Sequence, residues 1–240
     1  MKSSASARLT NKVALITGGN RGIGFAIAKA LAGEGCNLIV TGRDQASLKK
    51  TARQLGRKTV PMGCDVRDPQ GVDKLFAAIK KQFRKIDILI NNAGIAHPPL
   101  RVDELPVETW REVIDTNLTG MFLVTRAALP LMKRESAIVN NLSIAAKRVF
   151  PGSSAYNVSK HGALGFTNTL REEVRARSIR VIALLPGATD TDLWKSLWPQ
   201  APRKKMLSPS TVAQAVVNAL TLPDDSTVEE LLILPSVGTL

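Results

Sequence analysis

The sequence predicts an α/β fold, a doubly wound, mostly parallel seven-stranded sheet with helices on both faces. Three observations predict it. Short, nearly continuous apolar runs alternate with longer stretches of helical periodicity, as in a parallel sheet buried on both sides. The first apolar run leads straight into a glycine cluster that opens a helix. Polar and glycine residues then gather just past the ends of successive runs, where such sheets bind ligands. At 240 residues the chain is long enough for one large domain, and no linker or repeat divides it.

Residues 1–9 read as a flexible, polar N-terminal tail with no apolar stretch of the signal-peptide kind, and 10–240 as the domain. Val13–Thr17 is the first strand. Gly18, Gly19, Asn20, Arg21, Gly22, Ile23 and Gly24 follow, and Phe25–Leu31 reads as a helix. Strand, glycine turn and helix N-terminus make an anion site, because backbone N–H groups and the helix dipole face a pyrophosphate. The spacing is G-x-x-x-G-x-G; with a strand before it and a helix after, it points to a dinucleotide.

Asn37–Thr41 closes the βαβ unit. A carboxylate after this strand would suit a ribose 2′-hydroxyl, and a basic residue a 2′-phosphate. Here the strand runs into Gly42 and Arg43, and Arg43 with Arg21 can clamp a phosphate through charge-assisted hydrogen bonds. NADP is therefore expected over NAD. Asp44 reads as the N-cap of the helix from Gln45.

Thr59–Met62 is the next strand, with Asp65 and Val66 beyond it. A helix over Asp68–Phe83 leads to a strand at Ile86–Ile90 and then to Asn91, Asn92, Ala93 and Gly94. A long helical stretch runs from Asp103 to about Met132, with the polar Asn117 in its middle. Ser136–Leu142 is strand-like and ends at Ser143. Ser153 or Ser154 caps a helix to about Arg177, Ile179–Leu185 is a strand ending in Pro186 and Gly187, Pro209–Leu220 a helix, and Glu230–Leu234 the last strand.

Tyr156, the only tyrosine, lies four residues before Lys160, so the two share one face of their helix. A phenol with a pKa near ~10 is a poor acid at neutral pH. A cation ~5 Å away, at an effective dielectric of ~20, favours the phenolate by roughly 3 kcal/mol and would bring it into working range. Elsewhere a Tyr-x-x-x-Lys pair is usually an ordinary surface pair, and its neighbours decide.

The net charge is +13, but the basic residues are scattered, many of them at expected helix C-termini, such as Arg171, Arg175, Arg177 and Lys133-Arg134. With aromatics at 4% and no nucleic-acid motif, specific nucleic-acid binding is not expected. No apolar run reaches the ~18 residues of a membrane span. Cys36 and Cys64 show no metal-ligand spacing and read as buried, reduced thiols; no metal is expected.

Together these motifs resemble the short-chain dehydrogenase/reductase family, main branch, over residues 10–235. The resemblance rests on Thr17-Gly-Gly-Asn-Arg-Gly-Ile-Gly24, Asp65, Asn91-Asn-Ala-Gly94, Asn117, Ser143, Tyr156-x-x-x-Lys160 and Pro186-Gly-x-x-x-Thr191. It implies a Rossmann-type enzyme domain and a homodimer or homotetramer, while the cytoplasmic location is expected from the reduced thiols. It implies Tyr156 as general acid or base and Ser143 as holder of the substrate oxygen. Lys160 would bind the nicotinamide ribose and lower the Tyr156 pKa, and Asn117 would kink its helix and hold a relay water. It assigns Gly18, Asn20, Arg21, Gly22, Ile23 and Gly24 to the phosphate loop, Asp65 and Val66 to adenine, and Asn91, Ala93 and Gly94 to the adenosine side. Pro186, Gly187 and Thr191 would surround the nicotinamide. The family's NAD-type acid would fall at Gly42, which again favours NADP(H).

The implied substrate is a small carbonyl compound or secondary alcohol, expected to be partly apolar. Leu193, Trp194, Leu197 and Trp198 form an apolar stripe within a segment, about 188–208, that is either a lid or a surface packed on the body or a neighbouring subunit. Lys147, Arg148 and Arg203-Lys204-Lys205 are either solvated surface or contacts for an anionic group, and His97 is a candidate for the pocket wall. The tail lacks the Asp-Gly-Gly ending common in the family's fatty-acid ketoreductases, so a carrier-bound acyl substrate is disfavoured. The alternative to an enzyme is a non-enzymatic dinucleotide-binding or sensor protein on the same fold.

Overall fold

The computed structural model describes residues 9–238. Its strands are β1 Val13–Thr17, β2 Asn37–Gly42, β3 Thr59–Gly63, β4 Ile88–Asn91, β5 Ala137–Asn141, β6 Arg180–Pro186 and β7 Glu230–Ile233. They form one sheet in the order β3-β2-β1-β4-β5-β6-β7, and every neighbouring pair is parallel. The winding reverses between β1 and β4. Their carboxyl ends therefore splay their following loops to opposite sides and leave a crevice.

The helices are α1 Gly22–Gly33, α2 Gln45–Leu55, α3 Pro69–Phe83, α4 Val107–Ile114, α5 Gly120–Ala128, α6 Ser154–Arg175, α7 Trp194–Leu197 and α8 Pro209–Leu220. Side chains alternate across each strand, so Ala14 and Ile16 enter one core and Leu15 the other. The first core packs Ile27 and Leu31 of α1 and Val212 and Val216 of α8 on the sheet. The second packs Ile79 of α3, Val124 of α5 and Leu170 of α6 on the opposite face. Each such buried aliphatic side chain contributes about 1.5–3 kcal/mol, which is why these runs cannot lie on a surface.

Asp44 caps α2, accepting from the N–H groups of Ala46 and Ser47 at 2.9 and 3.2 Å. Asp68 caps α3 ahead of Pro69, and Ser208 caps α8. Ser153 occupies the N-cap of α6 but makes no side-chain capping bond.

Three expectations need correction. The helix expected from Asp103 begins only at Val107, because the residue before Pro106 is sterically biased away from helical backbone. It is then broken by a π turn at Asp115–Thr119 and ends at Ala128, followed by a 3₁₀ turn. Leu9, assigned to the tail, is buried and its carbonyl accepts from Cys36 Sγ; residues 1–8 lie outside the described residues. Arg171 and Arg177 do not simply complement a dipole. Arg171 is buried and donates to the carbonyls of Val181 and Glu229, and Arg177 donates to those of Leu129 and Met132.

Candidate active site

The site begins where β1 gives way to α1. Gly18 and Gly22 sit at φ +60° and +54°, the left-handed region that glycine enters without strain. The turn is tied to the loop after β4. Thr17 Oγ1 accepts from the N–H groups of Asn92 and Ala93 at 2.9 and 3.0 Å. Asn92 Nδ2 in turn donates to the carbonyls of Thr17 and Gly18 at 2.9 and 3.0 Å. A Cβ on Gly24 would stand 2.5 Å from the Gly18 oxygen and nearer still to Asn92 Nδ2. Gly24 therefore permits close packing and does not line the cavity. No side chain caps α1, which leaves its first-turn N–H groups for an anion.

Arg43 follows β2 and lines the cavity with Asn20, Arg21 and Ser47. Asn20 Nδ2 donates to Ser47 Oγ at 2.9 Å, joining the glycine loop to the first turn of α2. After β3, Asp65 is gripped by Arg67, whose Nε lies 3.0 Å from both carboxylate oxygens and whose Nη2 lies 2.6 Å from one. Those hydrogen bonds hold the Asp65 carboxyl below the usual carboxylate range against the opposing effect of burial. Arg67 also reaches Glu112 on α4 at 3.3 Å. It lines the cavity, and no motif announced it; only its place two residues after Asp65 could have done so.

Asn91 does not stand where the sequence suggested. Its side chain is buried and donates to Thr125 Oγ1 and Asn140 Oδ1, both at 2.9 Å. Strand alternation turns residues 91 and 92 to opposite faces, so Asn92, with Ala93 and Gly94, lines the cavity instead.

Ser143 lies just past β5. Its hydroxyl accepts from the Ala145 N–H at 3.1 Å and acts on Tyr156, in the first turn of α6, to draw the phenol pKa down. Lys160, one turn on, is buried; its Nζ donates to the Asn141 carbonyl at 3.1 Å and stands 5.6 Å from the centroid of the Tyr156 ring. The expected lowering of the phenol pKa by Lys160 is not what this geometry produces. Burial raises the Tyr156 pKa, and the opposing pull comes from Ser143. Lys160 lies over the ring face, and burial has pushed its own pKa down to about 8.

Asn117 occupies the π turn between α4 and α5. Its Oδ1 accepts from the Ile95 N–H at 2.8 Å, and its Nδ2 donates to the Ile95 carbonyl at 2.9 Å and to Ser159 Oγ at 3.0 Å. Ser159 Oγ donates to the Tyr156 carbonyl at 2.7 Å. Asn117 is thus fully buried outside the cavity wall, with both donors committed to fixing the 95 loop against α6. His97 is also off the wall: it is buried, with Nδ1 2.7 Å from the Pro98 carbonyl.

One cavity of about 900 Å³ connects all this, at the upper end of the ~300–1,000 Å³ typical of small-molecule sites. It runs from Gly18, Gly22 and Ile23 past Arg43, Asp65 and Val66 to Ser143, Tyr156 and Lys160. Pro186, Gly187 and Thr191 line it, as do Leu193, Trp194, Leu197 and Trp198 of the expected lid. Lys147 is outside it, ion-paired with Glu230, and Arg203 is paired with Asp190. Among the described residues no cluster of His, Cys, Asp or Glu could hold a metal, and no helix is long and apolar enough to cross a membrane.

The family model for the short chain dehydrogenases matches residues 12–202. The chain belongs to the short-chain dehydrogenase/reductase family. A 3-oxoacyl-[acyl-carrier-protein] reductase of Vibrio cholerae is 34% identical over 218 residues, covering 87% of this chain and 89% of its own. A 3-ketoacyl-(acyl-carrier-protein) reductase from Brucella melitensis, solved with NADH, superposes with a TM-score of 0.87 at 30% identity, over 95% of this chain and 98% of its own. An alcohol dehydrogenase from Thermococcus sibiricus, solved with 5-hydroxy-NADP, also gives 0.87, at 33% identity over 94% and 97%. The protein is therefore an NAD(P)-dependent oxidoreductase of this family with the family's Rossmann-like, seven-stranded sheet, acting on small molecules. The residues fit such a dinucleotide: a glycine cradle that a Cβ would obstruct, an uncapped helix N-terminus and arginines beside both.

Proposed function

We propose that this enzyme is an NADP(H)-preferring carbonyl reductase, working in reverse as a secondary-alcohol dehydrogenase, with Tyr156 as its general acid and base. The observation that carries this reading is that Ser143, Tyr156 and Lys160 line the same cavity onto which the glycine loop opens. The α1 N-terminus with Gly18, Asn20, Gly22 and Ile23 would hold the pyrophosphate. Arg21, Arg43 and Ser47 would hold a 2′-phosphate; no carboxylate stands at Gly42 to repel one. Asp65, Val66, Ala93 and Gly94 would border the adenosine, and Lys160, Pro186, Gly187 and Thr191 the nicotinamide riboside.

The chemistry a bound reduced nicotinamide would supply there is a hydride for the carbonyl carbon, the cofactor being the reductant. Tyr156 gives its proton to the carbonyl oxygen as negative charge develops, so an unpaired oxyanion never forms. Ser143 donates a hydrogen bond to that same oxygen and orients it. Lys160 holds a proton close to the ring, available to restore the phenol. Asn117 acts as a positioning residue, through Ile95 and Ser159. Dissociation constants from fluorescence titration should favour NADPH over NADH by at least tenfold; equal values would remove the role given to Arg43. Tyr156→Phe should keep NADPH affinity within about twofold and lose turnover by more than a hundredfold, and retained turnover would remove the mechanism.

Val107, Trp110, Phe122 and Val158, exposed on α4, α5 and α6, support assembly as a homodimer or homotetramer, which sedimentation equilibrium would read directly. The two buried, free cysteines suit a cytoplasmic location.

A further inference from the structure

The charged and the aromatic side chains of the cavity are segregated, and the inference drawn from this rests on the carbonyl-reductase reading. Arg21, Arg43, Asp44, Asp65 and Arg67 stand on the glycine loop or beyond the ends of β2 and β3. Asp192 belongs with them. It is ion-paired with Lys195 at 2.7 Å and feels the charge of Arg21, while its neighbour Thr191 lies over Gly22, 3.3 Å from where a Cβ there would be.

Ile95, Ile144, Phe150, Trp194, Leu197 and Trp198 line the same cavity, with Ile144 next to Ser143 in sequence and Phe150 tied through its carbonyl to Asn157, next to Tyr156. Of the charged lining residues, Lys160 is the one with an observed contact to Tyr156, and it is committed to the Asn141 carbonyl. The chain has only ten aromatic residues, six Phe, three Trp and one Tyr, and four of them, Phe150, Tyr156, Trp194 and Trp198, line this cavity. That concentration in an otherwise aromatic-poor chain is what a flat substrate would use.

These walls are held in place. The Phe150 carbonyl accepts from Asn157 Nδ2 at 2.9 Å, next in sequence to Tyr156, and the strand-like bridge of Leu100 to Ser153 braces that loop. Trp194 Nε1 donates to the Thr189 carbonyl at 2.9 Å, which fixes the indole plane. Trp198 is 45% exposed and forms the rim.

We propose that the substrate is an uncharged ketone, or the matching secondary alcohol, bearing a flat aromatic ring, and that Phe150, Trp194 and Trp198 bind that ring. Aromatic faces favour such a ring by stacking beyond its apolar area. A carboxylate placed among them would be desolvated with no partner.

With NADPH as reductant, kcat/KM would be compared for acetophenone, its carboxylated analogue 4-acetylbenzoate, and S-acetoacetyl-N-acetylcysteamine as a linear thioester. The expected result is acetophenone at least tenfold above each of the others. Trp198→Ala should raise KM for acetophenone about tenfold with kcat within twofold, lower kcat/KM for acetophenone at least threefold more than for butan-2-one, and be rescued by Trp198→Phe. Equal or better use of 4-acetylbenzoate overturns the proposal and leaves the reductase reading standing, as does a thioester that outperforms acetophenone. An unchanged acetophenone KM in Trp198→Ala also overturns it. Failure to reduce any carbonyl, with NADPH still bound, removes the reductase reading and this proposal together.

Discussion

At the scale of single residues, Tyr156 and Lys160 are held by the same burial in opposite ways. Both are kept toward their neutral forms: the phenol is raised and the ammonium lowered. Since Tyr156 is the only tyrosine, tyrosinate absorbance reads it alone. Without cofactor it should titrate above the ordinary ~10, and Ser143→Ala should push it higher, because Ser143 supplies the one stabilising bond to the phenolate. A midpoint below 10 would contradict that geometry.

Lys160 makes a second prediction. Its folded pKa, about 8, is below its ordinary 10.5, so the unfolded chain binds more protons between those values. The stability linked to the neutral amine is full above 10.5 and is lost as the pH falls through 8. The penalty at pH 7 is about 3 kcal/mol. Lys160→Met should therefore raise the urea midpoint of the ligand-free protein at pH 7, and less so at pH 9.5. An equal gain at both values would show that this penalty is absent.

At the scale of elements, two of the three glycines of α1 have opposite expected responses. Gly24 faces the Gly18 carbonyl and Asn92, so Gly24→Ala must displace the loop that holds the glycine turn. It should cost about 1–3 kcal/mol and weaken NADPH binding more than tenfold. Gly33, in the last turn, has nothing within 4 Å of the place a methyl would take, and Gly33→Ala should stabilise by up to ~1 kcal/mol with no change in cofactor affinity. Urea denaturation and NADPH titration of the two variants separate helix propensity from packing. The π turn at Asn117 belongs to this scale too: a helix defect lets one amide bond the Ile95 backbone and Ser159 together.

At the scale of the whole molecule, the dinucleotide end of the cavity is assembled from loops that are distant in sequence, so binding should stabilise the fold as a unit. At a hundred times its dissociation constant NADPH adds about 2.7 kcal/mol, which for a chain of this length raises Tm by ~5–11 °C. NADH at the same concentration, bound tenfold more weakly, adds about 1.4 kcal/mol and half that rise. Equal shifts in a thermal scan would contradict the preference for NADP(H).

The alternation of apolar runs and helical stretches, the glycine turn and the spacing of Ser143, Tyr156 and Lys160 are local properties of the chain. They were legible because period, turn chemistry and order along the chain do not depend on distant contacts. Gly18 and Arg43 were readable as cavity residues for the same reason, each following closely on a strand whose position is fixed, whereas Thr191 was legible only through the family resemblance. The tertiary structure alone decided the rest. It turned Asn91 into the interior and Asn92 to the cavity, brought Arg67 onto Asp65, and committed the amide of Asn117 to a neighbouring loop. It also reversed the expected shift of the Tyr156 pKa. The spacing of two charges can be read along a chain, but burial and the direction of a side chain set the field that each one feels, and those exist only once the sheet and helices have closed around them.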